Sequence, residues 1–355
     1  MQKKVFVAIS GGVDSAVSAK LLQEKGYDVT GVFMKNWSDE DYGIKNKCPW
    51  QEDLEDTIKI CETLGIAHKT YNFEKEYREN ILRNFFDEYK RGNTPNPDVL
   101  CNQHIKFDAF LKKALSEGAD YIATGHYSKT MGGRLFKAKD KNKDQTYFLY
   151  RLTKQQLEKS IFPLGDLTKQ EVRKLAKKYK LPVAEKKDSQ GLCFVGKINV
   201  QEFIKNTLKE SEGDIKDIDE DKVVGKHKGL WFYTIGQRHG IRVGGTQEPY
   251  FVVKKDIKKN TLYVAQGRNH PKLYKKTLEV ANLHLINPKY EFQKKDFTAT
   301  IRYRCADTPV KLRFENKKTI IDFEKSQWAP ALGQSLVLFD KNECLGGGFI
   351  TAFMV

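Results

Sequence analysis

No stretch of this 355-residue chain stays apolar for the roughly 20 residues a helix needs to cross a bilayer. That excludes a transmembrane anchor of the helical kind. The start, MQKKVFVAIS, has a basic pair and a short apolar run, but glycines and an aspartate follow at once and no small-residue cleavage site appears. It reads as a first strand, and the chain is expected to work in the cytoplasm, away from membranes. Cysteine is scarce and scattered: Cys48, Cys61, Cys101, Cys193, Cys305 and Cys344 form no C-x-x-C pair and have no histidine at ligand spacing. A zinc site and a disulfide scaffold are therefore not expected, and the same spacing counts against an iron–sulfur cluster. Repeats and low-complexity tracts are absent too. Acidic residues are the minority charge, 46 Asp+Glu against 62 Lys+Arg, for a formal net charge of +16. An excess of that size suits a polyanion, nucleic acid foremost, although lysine retained for solubility gives the same total.

What is present is enough for packed cores: 39% hydrophobic and 12% aromatic residues, over a length that favours two or three domains. Up to about residue 130, short apolar runs at Val5–Ile9, Val29–Met34 and Asp120–His126 alternate with amphipathic helical patterns that end on glycine. A weaker strand is expected in AHKTYNF. Cys61 falls at helical spacing with Leu54 and Ile58, as a small buried apolar residue would. Alternation of this kind predicts an α/β fold with a doubly wound parallel sheet and ligands at the carboxyl ends of its strands. Thr168 and Glu171 are spaced as a capping box opening a helix that stops before Pro182. The charged stretch KAKDKNKDQTY reads as an exposed loop. After about Lys205 long helices vanish. PYFVVKKDIKKNTLYVAQG reads as a hairpin turning near Asn260, and DFTATIRYRC, VKLRFENKKTIIDFE and QSLVLFDKNECLGGGFITAF alternate as half-buried strands. The expected organisation is a catalytic domain over 1–204, a small β-rich central domain over 205–274, and a C-terminal antiparallel β-barrel over 275–355. Gly346–Gly348 reads as a bulge or barrel corner, not a phosphate site.

The segment VFVAISGGVDSAVSAKLL leaves a strand, turns at Gly11 and Gly12, and enters a helix near Asp14 and Ser15. Glycine leaves no Cβ in the way of an anion, and successive N–H groups at a helix start suit phosphate. The spacing is that of neither a Walker A loop nor G-x-G-x-x-G. A tight structural turn would explain the glycines equally. The string Ser10–Ser15 resembles the PP-loop of the ATP pyrophosphatases, which split ATP between the α and β phosphates to adenylate a substrate. With GNTPNPDVLCN, ATGHY, DSQGLCFVG, VFMKNW, KDQTYFLY, FYTIGQR and IRYR, essentially the whole chain is similar to the tRNA-specific 2-thiouridylases.

That resemblance implies ATP-dependent thiolation of the wobble uridine of tRNAs for Lys, Glu and Gln. It implies an ATP site at Ala8, Ile9, Ser10, Gly11, Gly12, Val13, Asp14 and Ser15, with Met34 and Gly125 framing the nucleoside and Asp14 helping to place Mg²⁺. Cys193 would carry a persulfide, Cys101 would act as the partner nucleophile and Asp98 as the acid/base. Alone, each cysteine would pass for a buried hydrophobe; polar, Gly/Pro-containing surroundings argue otherwise. Asn96, Pro97 and Asp98 would meet the flipped base. His126, Lys143, Asp144, Gln145, Arg302, Tyr303, Arg304 and Gln334 would contact the anticodon stem-loop, the arginines and tyrosine from one strand. His126 and the Arg302–Arg304 strand also have ordinary surface readings. The implied partners are tRNA and a cysteine desulfurase or sulfur-relay protein, with the enzyme itself a monomer; nothing is implied for Cys48. Two rivals are a PP-loop ligase or amidotransferase partner acting on a small molecule, which leaves the cysteine motifs idle, and an RNA-binding protein without catalysis, indifferent to Cys101 and Cys193.

Overall fold

The computed structural model describes residues 2–38, 49–187, 200–241, 243–244, 248–290, 297–315 and 318–354. Cys48 and Cys193 lie outside the described residues. The first strand, Lys4–Ala8, is the centre of a five-stranded parallel sheet. On one side of it stand Asp28–Lys35 and then Ala67–Asn72; on the other, Tyr121–Ala123 and then Ser160–Ile161. Both faces of the central strand are covered, which is why its sequence is apolar at successive positions rather than alternating. Val5, Val7 and Ile9 pack with Ala16, Val17, Ala19 and Leu22 of the helix Val13–Glu24 and with Ile60 and Cys61 of Pro49–Leu64. Phe6 and Ala8 face the opposite core, shared with Val99, Leu100, Ile105, Phe107 and Phe110. The doubly wound sheet is as expected, and Cys61 is buried.

The capping box forms: Glu171 N donates to Thr168 Oγ1 at 3.3 Å, and Thr168 N to Glu171 Oε2 at 2.6 Å. Beyond the first sheet, Tyr250–Asp256 and Thr261–Gln266 make the expected hairpin, with Asn260 at φ +46° in the turn. Gly213–Asp217 and Val223–His227 complete a four-stranded sheet. Six antiparallel strands then close a barrel in the order Tyr274–Leu285, Lys318–Trp328, Thr308–Glu315, Phe297–Thr300, Ser335–Asp340 and Glu343–Met354, the last pairing back to the first. Gly346 sits at an irregularity in this closure, where an added Cβ would run into the His284 carbonyl. It is a barrel corner.

Two features depart from expectation. A hairpin of the first domain, Lys129–Met131 with Arg134–Phe136, leaves its own sheet and adds to the barrel edge, pairing Phe136 with Glu343 and Leu135 with Cys344. And the strand expected to run through IRYR stops at Thr300. Residues 301–304 form a turn in which Arg304 takes φ +63° and Thr300 Oγ1 donates to Arg302 O at 3.0 Å.

Candidate active site

The PP-loop string occupies the carboxyl end of the central strand, between Asp28–Lys35 and Tyr121–Ala123, where the chain order of the sheet reverses. Ligands of open α/β sheets bind at such points. Ile9 N donates to Val32 O at 2.9 Å, so the chain holds strand geometry until Ser10 and turns only there. Gly11 has φ +67°, and a Cβ on it would lie 2.7 Å from the Asp53 carbonyl oxygen. Gly125 contacts the loop from the neighbouring strand end, its absent Cβ 2.9 Å from Asp14 C and Ser15 N. The Ser15 hydroxyl closes the loop, accepting from Ser10 N at 3.3 Å and donating to Gly12 O at 3.0 Å. Two glycines are thus required, one by backbone conformation and both by close approach, and the helix Val13–Glu24 starts at this turn with no side-chain cap on its N-terminus. That is the cradle an anionic phosphate group needs. Ala8, Ile9, Val13 and Met34 are buried around it.

Charge is organised about this cradle by residues that sequence reading passed over. Lys169 Nζ stands 2.7 Å from Asp14 Oδ1 and 2.8 Å from its Oδ2, and the Tyr127 hydroxyl donates to Asp14 Oδ1 at 2.9 Å. Lys186 bridges Asp53 Oδ1 at 2.8 Å and Asp56 Oδ2 at 2.7 Å, on the helix that crowds Gly11. Burial pulls the Lys186 ammonium down, but its bonds to the two aspartates hold its pKa above the ordinary value. The only signals for these lysines were Lys169 in the first turn of the capped helix and Lys186 just before DSQG. Asp14, expected to help place Mg²⁺, has both oxygens on Lys169. Among the described residues no group of three or more acidic, His or Cys side chains is gathered for a metal.

The remaining motifs meet in a second cluster. Pro97 opens a helix Pro97–Cys101 that continues without a break through Ser116, its middle turns being wound as a π-helix, a form often found at functional sites. Asp98 is half-buried in the first turn, and Asn96 is buried just before it. Cys101 is completely buried beside Val99, Leu100 and Ile105. This corrects the expectation drawn from its polar surroundings: a residue four positions after buried Pro97 shares its inward face. The KDQTYFLY string packs alongside. Asn102 Nδ2 donates to Phe148 O at 3.1 Å, and the Tyr147 hydroxyl to Ser335 O at 3.0 Å. Gln334 Nε2 donates to the carbonyls of Thr94 and Pro95, each at 2.9 Å, while Thr94 N donates to Leu332 O at 2.8 Å. The turn before Asp98 is therefore held by the barrel.

The candidate RNA contacts divide. Lys143–Gln145 and the 302–304 turn are neighbours: Phe148 and Tyr303 rings are 4.7 Å apart, and Arg304 Nε donates to Asn142 O at 3.0 Å. Asp144 is not an exposed loop residue. It accepts from Ala138 N at 2.8 Å and Thr146 Oγ1 at 2.7 Å, and burial raises its pKa. Gln145 Oε1 accepts from Tyr127 N at 3.0 Å. His126 is buried, bonded to Thr124 Oγ1 at 2.8 Å and packed against Phe107 and Phe162. Desolvation, with Lys106 nearby, keeps its pKa well below the usual imidazole range, so it is neutral rather than a surface cation. Arg302 donates to the Ala329 carbonyl and stacks on Trp328 at 5.2 Å.

Residues 3–197 match the tRNA methyl transferase HUP domain family, 201–266 the tRNA methyl transferase PRC-barrel domain, and 275–350 the aminomethyltransferase beta-barrel domain. Near-full-length relatives have a different label. The tRNA-specific 2-thiouridylase MnmA of Pediococcus pentosaceus is 48% identical over 98% of this chain and 95% of its own. That of Methylobacillus flagellatus is 46% identical over 99% of both chains, and that of Bacillus subtilis 48% identical over 98% and 94%. With the glycine cradle at the switch point of the sheet, the PNPD helix packed in the core of Phe6 and Ala8, and relatives of this identity over nearly the whole length, the chain belongs to the tRNA-specific 2-thiouridylase family.

Proposed function

We propose that this protein thiolates the wobble uridine of tRNA at C2, using ATP to activate the oxygen that sulfur replaces. The observation that carries the reading is that one fold holds two built features: a strand-to-helix turn that only glycine permits, at a helix start without a side-chain cap, and the PNPD–Cys helix start, clamped from the barrel. The uridine C2 oxygen attacks the α-phosphorus of ATP and pyrophosphate departs. The amides around Gly11 and Gly12 would stabilise its charge, and Lys169 and Lys186, paired with Asp14, Asp53 and Asp56 about the loop, would add positive charge. Ser10 is the exposed polar member of the loop; Met34 and Gly125 frame the nucleoside. Asp14 would hold the Mg²⁺ that accompanies ATP, though the fit is partial, since the carboxylate is ion-paired with Lys169.

Asn96, Pro97 and Asp98 receive the flipped base, and Asp98 moves the proton. The terminal persulfide sulfur on Cys193 adds to C2 and AMP leaves. The Cys101 thiolate then attacks the Cys193 sulfur, so that the S–S bond breaks, the thiocarbonyl is released and a Cys101–Cys193 disulfide remains for a thiol reductant to reset. Lys143, Gln145, Tyr303 and Arg304 form the RNA-facing side, with His126 and Asp144 supporting it from within. The division at 1–204, 205–274 and 275–355, cytoplasmic action as a monomer, tRNAs for Lys, Glu and Gln as substrates, and a cysteine desulfurase or relay protein as donor belong to the same reading. Mass spectrometry of tRNA nucleosides from a strain lacking this chain tests it: 2-thiouridine derivatives should vanish and return with the wild-type gene but not with Gly11→Ala. Persistence of the thiolated nucleosides in the deletion strain would refute the reading. ATP–pyrophosphate exchange that proceeds without tRNA would instead favour a small-molecule ligase.

A further inference from the structure

The string FYTIGQR takes no part in any step above, yet it builds a cleft of its own where the central sheet meets the barrel. The cleft is about 730 Å³ and is lined by Gln237, Arg238, His239, Phe251, Arg268 and Trp328, with Gly236 and Gly240 in its loop. None of these lining residues is acidic; the carboxylate of Glu248 lies nearby, against Gly267.

The cleft is held in shape independently of any ligand. Gly236 N donates to Val252 O at 2.8 Å and Val252 N to Gln237 O at 3.0 Å, which fastens the loop to the strand Tyr250–Asp256. Gln237 ties the loop internally, accepting from Thr234 N at 3.0 Å and donating to His239 O at 2.8 Å. Gly236 has φ +83°, and a Cβ there would lie 2.6 Å from Ala329 Cβ and 3.0 Å from the Trp328 ring. Trp328 is fixed in turn: its indole N–H donates to Arg268 O at 3.1 Å, Phe251 meets it edge-on at 6.3 Å, and the guanidiniums of Arg268 and Arg302 each stack on it at 5.2 Å. Arg302 is spent on this wall, but Arg268 and Arg238 are exposed. A guanidinium over an aromatic ring is not consumed by it and keeps N–H donors that can take a phosphate as a fork.

We propose that this cleft binds an RNA phosphodiester, clamped between Arg238 and Arg268, with the attached nucleoside against the Trp328 stack. Cationic side chains that follow a backbone beside a stacking ring are the elements of single-strand and loop recognition in RNA. The inference rests on the reading of tRNA as substrate and adds a contact outside the active-site helix. The phosphate contact is measurable, since removing one neutralised phosphate lowers the slope of log affinity against log salt by about one.

Binding of a full-length tRNA transcript should be measured from low to moderate salt for wild type, Arg238→Glu, and Arg238→Ala with Arg268→Ala, with thermal melts to verify folding. Arg238→Glu changes only an exposed loop tip. The double variant should bind roughly tenfold more weakly at about 100 mM salt and with a slope flatter by about one, while turnover at saturating tRNA stays within twofold. Arg238→Glu should weaken binding on its own. Unchanged affinity and slope in both variants, with wild type still binding tRNA, would overturn this inference and leave the broader reading intact; wild type failing to bind tRNA would overturn both. Titration with AMP and with pyrophosphate separates a free anion from RNA. No saturation is expected at the cleft, and saturable binding lost in the double variant would assign the site to a small anion instead.

Discussion

On the proposed reading, Gln334 tests whether the barrel merely touches tRNA or sets the geometry of the turn before Asp98. Its amide donates two 2.9 Å bonds, to the carbonyls of Thr94 and Pro95, immediately before Asn96, Pro97 and Asp98. Its own backbone is pinned separately, Gln334 N to Ala331 O at 3.2 Å and Ile350 N to Gln334 O at 2.9 Å, so changing the side chain does not undo the barrel. Each neutral bond contributes about 1 kcal/mol net, and a carbonyl left without a donor costs about 1–3 kcal/mol. Gln334→Ala therefore withdraws roughly 2–4 kcal/mol from the turn. A displacement of about an ångström is enough to remove two decades of rate from an oriented reaction. Turnover should fall ten- to a hundredfold while KM for tRNA changes less than threefold, because affinity resides chiefly in phosphate contacts. Gln334→Glu should be worse than Gln334→Ala, since a carboxylate would face two carbonyl oxygens with no proton to share. Single-turnover thiolation against tRNA concentration makes the test. If KM rises tenfold with turnover unchanged, Gln334 contacts tRNA directly and the positioning argument fails.

Three further outcomes follow from the same structure. Gly125→Ala places a Cβ 2.9 Å from backbone atoms of Asp14 and Ser15, an overpacking that costs about 1–3 kcal/mol; tRNA adenylation should fall by at least tenfold with tRNA binding retained, and near wild-type adenylation would mean that the cradle is not the ATP site. Cys193→Ser should accept little radiolabelled sulfur from a desulfurase, whereas Cys101→Ala should load Cys193 yet make no 2-thiouridine, and both should still adenylate tRNA. Because Cys101 is buried, Cys101→Ser should also melt earlier, a hydroxyl in that core costing about 1–3 kcal/mol, which makes alanine the cleaner probe. Lys255, whose ammonium meets the Tyr233 carbonyl at 2.9 Å, has its pKa lowered by burial to about 8. Between about pH 8 and the unfolded value the unfolded chain binds more protons, so this group's destabilising contribution is full below pH 8 and is lost as pH rises above it. Lys255→Met should thus raise the melting temperature at pH 7 and bring a smaller gain at pH 10; an equal gain at both would show that Lys255 is not buried as a charge.

Much of the fold was legible because its signals are local. The apolar run of Val5–Ile9, the capping box at Thr168 and Glu171 and the hairpin at Asn260 each depend on residues within a few positions of one another. What escaped depends on partners far along the chain. The strand Arg134–Phe136 is three residues long, follows two glycines at positive φ, and pairs with Glu343 and Cys344, more than 200 residues away. No periodicity can announce such a strand. The IRYR string alternates like a strand, but Arg304 turns into the left-handed region and Arg302 is drawn to the Ala329 carbonyl and Trp328. Cys101 looked accessible from its polar neighbours because one-dimensional context does not say which face of a helix points inward. Lys169 and Lys186 were invisible for a related reason: lysines are abundant here, and only the fold brings these two to Asp14, Asp53 and Asp56.

The long-range contacts between the barrel and the segment Thr94–Asn96 converge on one task. Flipping a base from its stack costs a few kcal/mol, and a receiving turn that had to order itself afterwards would add about 1–2 kcal/mol for every backbone residue fixed. In this chain the turn that the proposed reading assigns to the base is ordered in advance. Thr94 is bonded to Leu332 in the barrel and approaches Thr234 of the central segment at 3.4 Å, Gln334 holds Thr94 and Pro95, and Asn96 faces Ser335. The barrel is itself fastened to the first domain through the Lys129–Phe136 hairpin, whose Leu135 shares a core with Val337, Phe339 and Cys344. A barrel that served only as an RNA-binding module would need none of these bonds to the turn. Their concentration on Thr94–Asn96 makes the barrel part of what fixes the turn before Asp98, the residue to which the proposed reading gives the proton.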